Sequence, residues 1–464
     1  MYLGLTQSGL TLAEAASFMG GELFFADENT KFGSVSTDSR KINAHELFFA
    51  LCGERFDAHA FVPEVISSGA CCAVVSKPQA ENIPHILVKD TRTALGAFAK
   101  GYYSLFDSLT VGVTGSVGKT TTKEFIASVL SEKYETAKTA GNFNNEIGLP
   151  LTLLAFEAPK NALVAEMGMS ARGEISRLTR IARPHIAVIT NIGSSHLENL
   201  GTRENIALAK LEIAEGLRDD GVLIMNGDEP LLRGHENICA KKVFVSLIDK
   251  NCDYYAYNIF EGEDFISFDY TSPDGRAHLD ARIPVMGRHN VYNSLCAIAV
   301  GERAGLTDAQ IYRGLMSFTG CAMRAQIEKR GDVTVIEDCY NASPESMRAS
   351  ISTLCHVARD KGRKIAFLGE MRELGNDSAK MHFSVGEYAA DAGVDMLFTF
   401  GENAAEIARG AMHAGLDPEN IVSITDTEDV CAAVSILKAR LIKDDVVLFK
   451  ASRALKLERI SKEI

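Results

Sequence analysis

The segment 110–122 carries the clearest chemical signal in the chain, Thr-Val-Gly-Val-Thr-Gly-Ser-Val-Gly-Lys-Thr-Thr-Thr, a β run that breaks into glycines and then into a helix beginning near Lys119. In this arrangement backbone N–H groups and a helix N-terminus face an anion, Lys119 neutralises the outer phosphates, and a threonine hydroxyl can hold Mg²⁺. The spacing departs from G-x-x-x-x-G-K-S/T, because Val113 stands at the first position and Gly112 is the nearest glycine. A purely structural turn is the alternative, but the preceding strand and the following Lys-Thr favour nucleoside triphosphate binding.

Polar side chains follow three further predicted strands. Glu166 closes the run 162–166, Asn191 and His196 follow 186–190, and Asp228 follows 222–226. Ligands of open α/β sheets bind at the carboxyl ends of the strands, so we expect these groups near the phosphate loop. Glu166 is the better Mg²⁺ candidate, because that ion prefers oxygen ligands. Each residue alone has a surface or capping role as its alternative, and only their joint placement favours function.

Lys210 is anomalous, because the helical pattern of residues 202–217 aims it into an apolar face. Burial disfavours the charged form of a lysine, and a neutral amine can react or be modified. The alternative is a lysine that extends its ammonium to the rim of the apolar face.

Two amide-rich segments are candidates for ligand contacts. Asn142, Asn144 and Asn145 lie in one loop, where they can bind sugars, phosphates or a peptide, although turns also favour asparagine. The segment 287–293, Gly-Arg-His-Asn-Val-Tyr-Asn, opens an alanine-rich helix and carries donors suited to a base or ribose, with helix capping as the alternative.

The elements that must position these residues alternate between short β-rich runs and helices, which predicts an α/β chain with parallel sheets. One series of strands begins at residues 110–114, 162–166, 186–190 and 222–226 and continues into a β-rich stretch over 243–285. A second series covers 333–337, 364–368, 396–400 and 446–449, and the first 88 residues carry short strands at 46–51, 73–75 and 86–88. We therefore predict three domains, 1–88, 89–320 and 321–464.

Length and charge exclude several classes of protein. A chain of 464 residues is too long for one core, and 46% apolar with 23% charged residues is typical of a globular chain. The net charge of -13 disfavours nucleic acid as a partner. No signal sequence or apolar membrane span is recognised, so the expected location is the cytoplasm. The scattered cysteines suggest neither a zinc site nor a disulfide framework.

Taken together, these motifs resemble the Mur ligase family, ATP-dependent enzymes that form amide bonds in peptidoglycan precursors. The resemblance runs over nearly the whole chain. The matching blocks are residues 36–40, 53–59, the phosphate loop, 141–148, 166–168, 190–196, the Ala-Lys-Leu-Glu around Lys210, 289–293, 338–346, 368–375 with His382, and 450–453. Two blocks, Tyr-Asn-Ala-Ser-Pro at 340–344 and Gly-Glu-Met-Arg-Glu-Leu-Gly at 369–375, are similar to those of the family members that add D-alanyl-D-alanine to UDP-MurNAc-tripeptide.

The resemblance implies a fold and a set of ligands. It implies a small N-terminal α/β domain that binds the UDP-sugar, a central P-loop-type ATP-binding domain with a mostly parallel sheet, and a C-terminal Rossmann-like α/β domain. The implied cofactors are ATP and Mg²⁺, and the implied partners are the substrates UDP-MurNAc-tripeptide and D-alanyl-D-alanine. The expected oligomeric state is a monomer.

The resemblance also implies residue roles. The expected catalytic residues are Lys119, Lys210 and His196. The expected metal ligands are Thr120, Glu166, His196 and Lys210, and Lys210 would act as a ligand after its carbamylation by CO₂. The residues expected to bind the nucleotide are Gly115, Ser116, Val117, Gly118, Lys119, Thr120, Thr121, Asn290, Asn293, Arg324, Asp338 and Asn341. The residues expected to bind the other substrates are Ser36, Asp38, Ser39, Arg40, Asn142, Asn144, Asn145, Lys450, Ser452 and Arg453.

Two departures and three alternatives accompany this interpretation. Val117 stands where the family often has Asn, and Ala451 where it often has Gly. The alternatives are a ligase that adds the third peptide residue, a folylpolyglutamate synthase-like enzyme, and a P-loop switch that hydrolyses ATP without an amine acceptor.

Overall fold

The computed structural model describes residues 3–4, 9–53, 56–235, 238–359 and 361–464. Three mixed α/β units follow one another along the chain, each built on its own mostly parallel sheet. The predicted fold class is therefore confirmed. No helix in these ranges has the length and apolar character needed to cross a membrane.

The first unit has a six-stranded sheet in the order β1-β3-β4-β5-β6-β2, with antiparallel pairing only at its two edges. Its elements are β1 (Leu3–Gly4), α1 (Leu12–Met19), β2 (Glu22–Phe24), β3 (Ser34–Ser36), β4 (Glu46–Phe49), α2 (Val62–Ser67), β5 (Cys72–Val75), β6 (His85–Leu87) and α3 (Thr91–Tyr103). Within the predicted block 53–59, Glu54 and Arg55 lie outside the described residues.

The central unit has a nine-stranded sheet in the order β15-β14-β13-β12-β11-β10-β7-β9-β8, antiparallel only from β13 to β15. Its elements are β7 (Leu109–Thr114), α4 (Lys119–Leu130), β8 (Thr136–Lys138), α5 (Gly148–Leu154), β9 (Ala162–Glu166), α6 (Glu174–Ala182), β10 (Ile186–Ile189), α7 (Leu197–Leu200), α8 (Arg203–Leu211), β11 (Val222–Asn226), β12 (Lys241–Ser246), β13 (Tyr254–Glu261), β14 (Ile266–Thr271), β15 (Ala277–Ile283), α9 (His289–Arg303) and α10 (Asp308–Met316).

The third unit has a six-stranded sheet in the order β16-β17-β21-β18-β19-β20, parallel except for the β16–β17 pair. Its elements are β16 (Gln326–Arg330), β17 (Val333–Glu337), α11 (Pro344–Val357), β18 (Lys364–Gly369), α12 (Ser378–Asp391), β19 (Met396–Phe400), α13 (Ala405–His413), β20 (Ile421–Ile424), α14 (Val430–Arg440), β21 (Val446–Lys450) and α15 (Glu458–Ser461).

The central strands form because they are apolar along their whole length. All five residues of β9 and all four of β10 are buried, the pattern of a parallel strand covered on both faces by helices. The carboxyl ends of β7, β9 and β10 are neighbours in the sheet. The polar residues that follow these strands are therefore brought to one edge.

One apolar core joins the first and central sheets. It contains Phe49 of β4, Phe98 and Tyr102 of α3, Leu163 of β9 and Ala187 of β10, all fully buried. Burying a large apolar side chain contributes roughly 1.5–3 kcal/mol, so α3 is fixed to both sheets rather than acting as a loose linker. The third unit has two apolar clusters, one of which also includes Met286 of the central unit.

Candidate active site

The phosphate loop connects β7 to α4. It turns through Gly118, whose φ of 83° is left-handed, and α4 starts at the next residue. Lys119 Nζ donates to the carbonyl oxygens of Gly115 at 2.8 Å and Ser116 at 3.3 Å, so the ammonium lies inside the curve of the loop. Burial lowers the pKa of Lys119, which the charge of Glu166 partly offsets. The loop thus holds a cation where a phosphate needs one.

The strand-end residues Thr190 and Asn191 hold the loop backbone. Thr190 Oγ1 donates to the carbonyl oxygen of Val117 at 2.6 Å, and the Asn191 amide both donates to that carbonyl and accepts from the Val117 N–H. The side chain at position 117 makes none of these bonds. The presence of valine instead of the asparagine frequent in the family therefore leaves these hydrogen bonds to the loop backbone intact.

Gly115 permits a close approach between the loop and β10. Its φ is 153°, and a Cβ built there would lie 1.8 Å from Thr190 Oγ1 and 3.2 Å from the Thr190 nitrogen. The Thr190 hydroxyl would have to rotate away and lose its hydrogen bond to Val117, and the short distance to the Thr190 nitrogen would still strain the loop against the strand end.

We expect Gly115→Ala to lower the free energy of unfolding by about 1–3 kcal/mol, the usual range for overpacking, and to weaken nucleotide binding. Thermal unfolding and calorimetric titration with ADP measure the two effects. Gly33→Ala is the matched control, because a Cβ at Gly33 meets nothing within 4 Å and its φ is not left-handed. Equal stability and equal ADP affinity in the two variants would contradict the expectation.

Glu166 lies at the end of β9 facing the start of α4. Its Oε2 accepts from Thr120 Oγ1 at 2.9 Å, its Oε1 accepts from the Asn144 amide at 2.8 Å, and the Lys123 ammonium lies 3.9 Å away. The carboxylate is buried yet lines the cavity described below. A hydroxyl and a carboxylate oxygen side by side beside a phosphate loop are the donor types that suit Mg²⁺.

His196 lies in the loop between β10 and α7, with a left-handed φ of 65°. Its Nδ1 lies 2.5 Å from Glu373 Oε2 of the third unit, although the ring N–H is not aligned for a regular hydrogen bond. Contact with the imidazole lowers the pKa of Glu373. The sequence indicated His196 as a strand-end group, but gave no signal for a partner so distant in the chain.

Lys210 lies in α8 and is only 1% exposed. It therefore does not reach the rim of the apolar face, which removes the alternative considered for it. No hydrogen bond or ion pair of its amine occurs within the described ranges. Burial, with a smaller contribution from the charge of Lys119, holds the pKa of Lys210 well below its ordinary value. This environment therefore shifts the amine toward its neutral form.

The amides of α9 fasten the start of that helix to the phosphate-binding helix. Asn293 Oδ1 accepts from Thr122 Oγ1 at 3.0 Å, and its amide nitrogen donates to Asn290 Oδ1 at 2.9 Å. The Asn290 amide donates to the Met286 carbonyl oxygen at 2.8 Å. Both asparagines also line the cavity, so the same side chains hold α9 against α4 and face the space that a ligand would occupy.

The third unit contributes groups from two neighbouring strand ends. Lys450, at the end of β21, donates to Asp338 Oδ2 at 2.6 Å and to the Asn341 carbonyl oxygen at 3.2 Å. The Arg324 guanidinium stacks over the Tyr340 ring at 4.2 Å. Strands β17 and β21 are parallel neighbours, which is why residues more than a hundred positions apart meet here.

These groups surround a single cavity of about 1120 Å³ between the central and third units. The predicted residues that line it are Ser116, Val117, Gly118, Lys119, Thr120, Thr121, Asn144, Asn145, Glu166, His196, Asn290, Asn293, Arg324, Asp338, Asn341 and Lys450. Gly115, Asn142, Lys210, Ser452 and Arg453 are not among the lining residues. Ser452 Oγ accepts from the Arg372 N–H, and Arg453 pairs with Glu458.

The predicted sugar-binding residues lie in the first unit around a separate cavity of about 590 Å³. Asp38, Ser39 and Arg40 line it together with Phe56 and Phe61, whose rings stack at 5.4 Å. The Arg40 guanidinium holds the pKa of Asp38 well below its usual range. Ser36 is buried, and its hydroxyl accepts from the Asp38 N–H. A cation beside stacked aromatic rings suits an anionic ligand that carries a flat base.

One cluster in the first unit has the residue types of a metal site. Ligand atoms of Cys52, Asp57 and His59 lie within 4.8 Å of one another. However, His59 Nε2 accepts from the Ser76 N–H at 2.9 Å, which places the imidazole proton on Nδ1, 2.6 Å from Asp57. Lys77 also pairs with Asp57. The ligand atoms of His59 and Asp57 are therefore already engaged in hydrogen bonds and an ion pair, which stabilise the loop beside the cavity.

Other residues differ from their sequence-based interpretation or gave no signal at all. Asp228 lies outside the cavity lining and accepts from Tyr292 Oη at 2.7 Å and from Ser246 Oγ, which fixes α9 against β12. Glu345 accepts from the backbone N–H and hydroxyl of Ser194, at 3.0 and 2.8 Å, across the boundary between units. Glu345 and Glu373 both occurred in recognised blocks, but without an assigned role.

Comparison with protein families accounts for most of the chain. Residues 31–103 match the Mur ligase family catalytic domain, 113–301 the Mur ligase middle domain, and 323–453 the Mur ligase glutamate ligase domain. These three segments contain all the predicted site residues that line the two cavities.

Individual proteins match over nearly their full length. A UDP-N-acetylmuramoyl-tripeptide–D-alanyl-D-alanine ligase of Bacillus subtilis is 42% identical over 94% of each chain. The crystal structure of MurF from Acinetobacter baumannii superimposes with a TM-score of 0.90 at 29% identity, covering 98% of both chains. The crystal structure of MurF ligase from Thermotoga maritima in complex with ADP superimposes with a TM-score of 0.83 at 30% identity, covering 92% of this chain and 96% of that chain.

Proposed function

The chain belongs to the Mur ligase family, and we propose that it joins D-alanyl-D-alanine to UDP-N-acetylmuramoyl-tripeptide while converting ATP to ADP and phosphate. The observation that carries this proposal is the shared cavity. The phosphate loop of the central unit and the groups Arg324, Asp338, Asn341 and Lys450 of the third unit face the same space. One nucleotide can thus be held between the two units, as an ATP-dependent ligase requires.

Amide formation from a carboxylate needs activation, because an ionised carboxylate resists attack by an amine. Transfer of the γ-phosphoryl group of ATP to the tripeptide carboxylate breaks the bond to ADP and forms an acyl phosphate. The D-alanyl-D-alanine amine then attacks the carbonyl carbon, phosphate leaves with the C–O electron pair, and the amine loses a proton. The chain need supply no covalent nucleophile for this sequence.

The residues act by neutralising and positioning charge. Lys119 and the N–H groups at the start of α4 face the phosphates, with a typical contribution of a few kcal/mol from each group to the barrier. Packing of the third unit over the cavity limits access of water to the acyl phosphate. Thr120, Glu166 and His196 are the proposed Mg²⁺ ligands, and the bound ion would screen the phosphate charges.

We also propose that Lys210 is carbamylated. The neutral amine attacks CO₂, a C–N bond forms, and a proton is released to give an anionic carbamate. The support is its burial, the absence of a partner for its amine within the described residues, and the lowered pKa that keeps the amine nucleophilic. A carbamate would offer oxygen donors toward the metal site, and its negative charge would be balanced by Lys119.

Substrate binding is proposed to be divided between the two cavities. The cavity lined by Asp38, Ser39 and Arg40 is assigned to the UDP-sugar, and the asparagine loop with Asn144 and Asn145 to the peptide end. The two cavities lie on one chain, which supports the proposal of a monomeric enzyme. We propose the cytoplasm as its location, because the reaction consumes ATP and a polar nucleotide-linked substrate.

Acceptor specificity tests the function directly. We expect ADP release to require both UDP-MurNAc-tripeptide and D-alanyl-D-alanine, measured by a coupled assay with each substrate omitted in turn. Free amino acids such as diaminopimelate, lysine or glutamate should not replace the dipeptide. Stimulation by a free amino acid, but not by the dipeptide, would instead identify one of the other ligases. ADP release without any acceptor would identify an ATPase switch.

A further inference from the structure

The segment 190–198 is held from two sides. On one side Thr190 and Asn191 bind the carbonyl oxygen of Val117 in the phosphate loop. On the other side Ser194 binds the Glu345 carboxylate, and the Glu198 N–H donates to the Glu373 carbonyl oxygen at 3.1 Å. The segment is therefore the physical connection between the nucleotide loop and the third unit.

Glu373 and His196 are pressed together at this contact. Their side chains approach to 2.5 Å, and both residues have left-handed backbones, with φ of 64° and 65°. Residues other than glycine rarely adopt this conformation, which is strained and persists only where surrounding contacts enforce it. The enforcing contacts here include the backbone hydrogen bond from Glu198 and the packing of Gly375 against Glu198, where a Cβ added to the glycine would lie 3.3 Å from Glu198 Cα.

We propose that Glu373 is a positioning residue for His196, supplied by the third unit only when that unit is packed against segment 190–198. The inference rests on the proposed function, in which His196 is a metal ligand. A carboxylate beside Nδ1 favours the tautomer with the proton on that nitrogen, which leaves Nε2 with its lone pair for the metal. Packing of the third unit would thereby complete the metal site as well as cover the nucleotide.

Glu345 makes the proposal testable, because it contacts the same segment without contacting the imidazole. Its carboxylate binds Ser194, so Glu345→Gln should weaken packing of the third unit while leaving the side chain beside His196 unchanged. Glu373→Gln keeps the size and backbone of Glu373 but removes the anionic partner of the ring. Glu402→Gln is the control for loss of one negative charge, because Glu402 is exposed in the same unit.

The experiment is titration of the full-length protein with Mn²⁺ in saturating ADP, followed by electron paramagnetic resonance. We expect Glu373→Gln to bind Mn²⁺ about 10- to 100-fold more weakly, the usual effect of removing a group that orients a metal-binding histidine. Glu402→Gln should bind as the parent does. In His196→Ala, the further change Glu373→Gln should have little added effect, because the imidazole on which it acts is gone.

Three outcomes would overturn the proposal: unchanged Mn²⁺ affinity in Glu373→Gln, additive losses in the double variant, or a loss in Glu373→Gln that occurs together with the loosened packing expected of Glu345→Gln, which would assign the effect to packing alone. Small-angle X-ray scattering of each variant with ADP reports the packing independently. If the parent protein fails to bind Mn²⁺ with ADP, the proposed function itself fails, which is a distinct result.

Discussion

Replacement of Lys119 by alanine should lower the rate of ADP formation by about 10²- to 10³-fold, the usual cost of removing one group that stabilises charge in a transition state. The ammonium lies inside the phosphate loop, where it donates to the carbonyl oxygens of Gly115 and Ser116. Since burial already disfavours its charge, loss of the side chain should change the free energy of unfolding by only about 0.5–1.5 kcal/mol, the net value of one typical hydrogen bond.

Steady-state kinetics with both substrates and thermal unfolding of the same preparation provide the comparison. Lys100→Ala is the matched control, an exposed lysine of α3 that lies away from both cavities. A parallel fall of activity and melting temperature in Lys119→Ala would show that the lysine serves folding rather than the phosphates.

Lys210→Ala should also lose on the order of 10²- to 10³-fold in rate if the carbamate supplies negative charge at the metal site. Added formate or acetate should restore part of that rate, because a short carboxylate can occupy the volume that the lysine leaves. Labelling with ¹³CO₂ should give one carbamate carbon resonance in the parent that is absent from the variant. The measurements are kinetics over a range of carboxylate concentration and carbon NMR.

Two controls isolate the chemistry of Lys210. The same carboxylates should not restore Lys119→Ala, because that variant lacks a cation. Lys123 is equally buried, but its amine donates to the Thr139 carbonyl oxygen and pairs with Glu124, so it should remain unlabelled. The carbamate proposal fails if no carboxylate concentration raises the rate of Lys210→Ala and no labelled resonance appears.

The sequence was sufficient for the parts of the fold that are apolar throughout or carry special backbone chemistry. Strands β9, β11, β17 and β19 have the predicted bounds, because buried parallel strands read as continuous apolar runs. The edge strands β8 and β16 were missed. The Gln-Ile-Glu-Lys-Arg of β16 has no buried residue, so no apolar pattern announces it.

In the candidate site too, the residues in local sequence patterns could be predicted, whereas contacts between distant parts of the chain could not. Lys119, Thr120 and Glu166 were recognisable because a phosphate loop and a strand end are local patterns, and they meet in the folded chain. The contact of Ser194 with Glu345 spans 151 positions, and that of His196 with Glu373 joins two units. Such pairings depend on how separately folded units dock, which local periodicity does not encode. Lys210 could be recognised as anomalous from its helix, whereas the strength of its burial required the fold.

The core shared by the first and central sheets determines which part of the molecule can move. Because α3 is embedded in both, the sugar pocket and the phosphate loop are joined by one continuous core. The clusters of the third unit are formed by its own residues, with Met286 as the contribution of the central unit. We therefore expect movement during turnover to occur mainly between the third unit and the rest of the chain, so that a long acceptor stays bound by its uridine end while the nucleotide is exchanged.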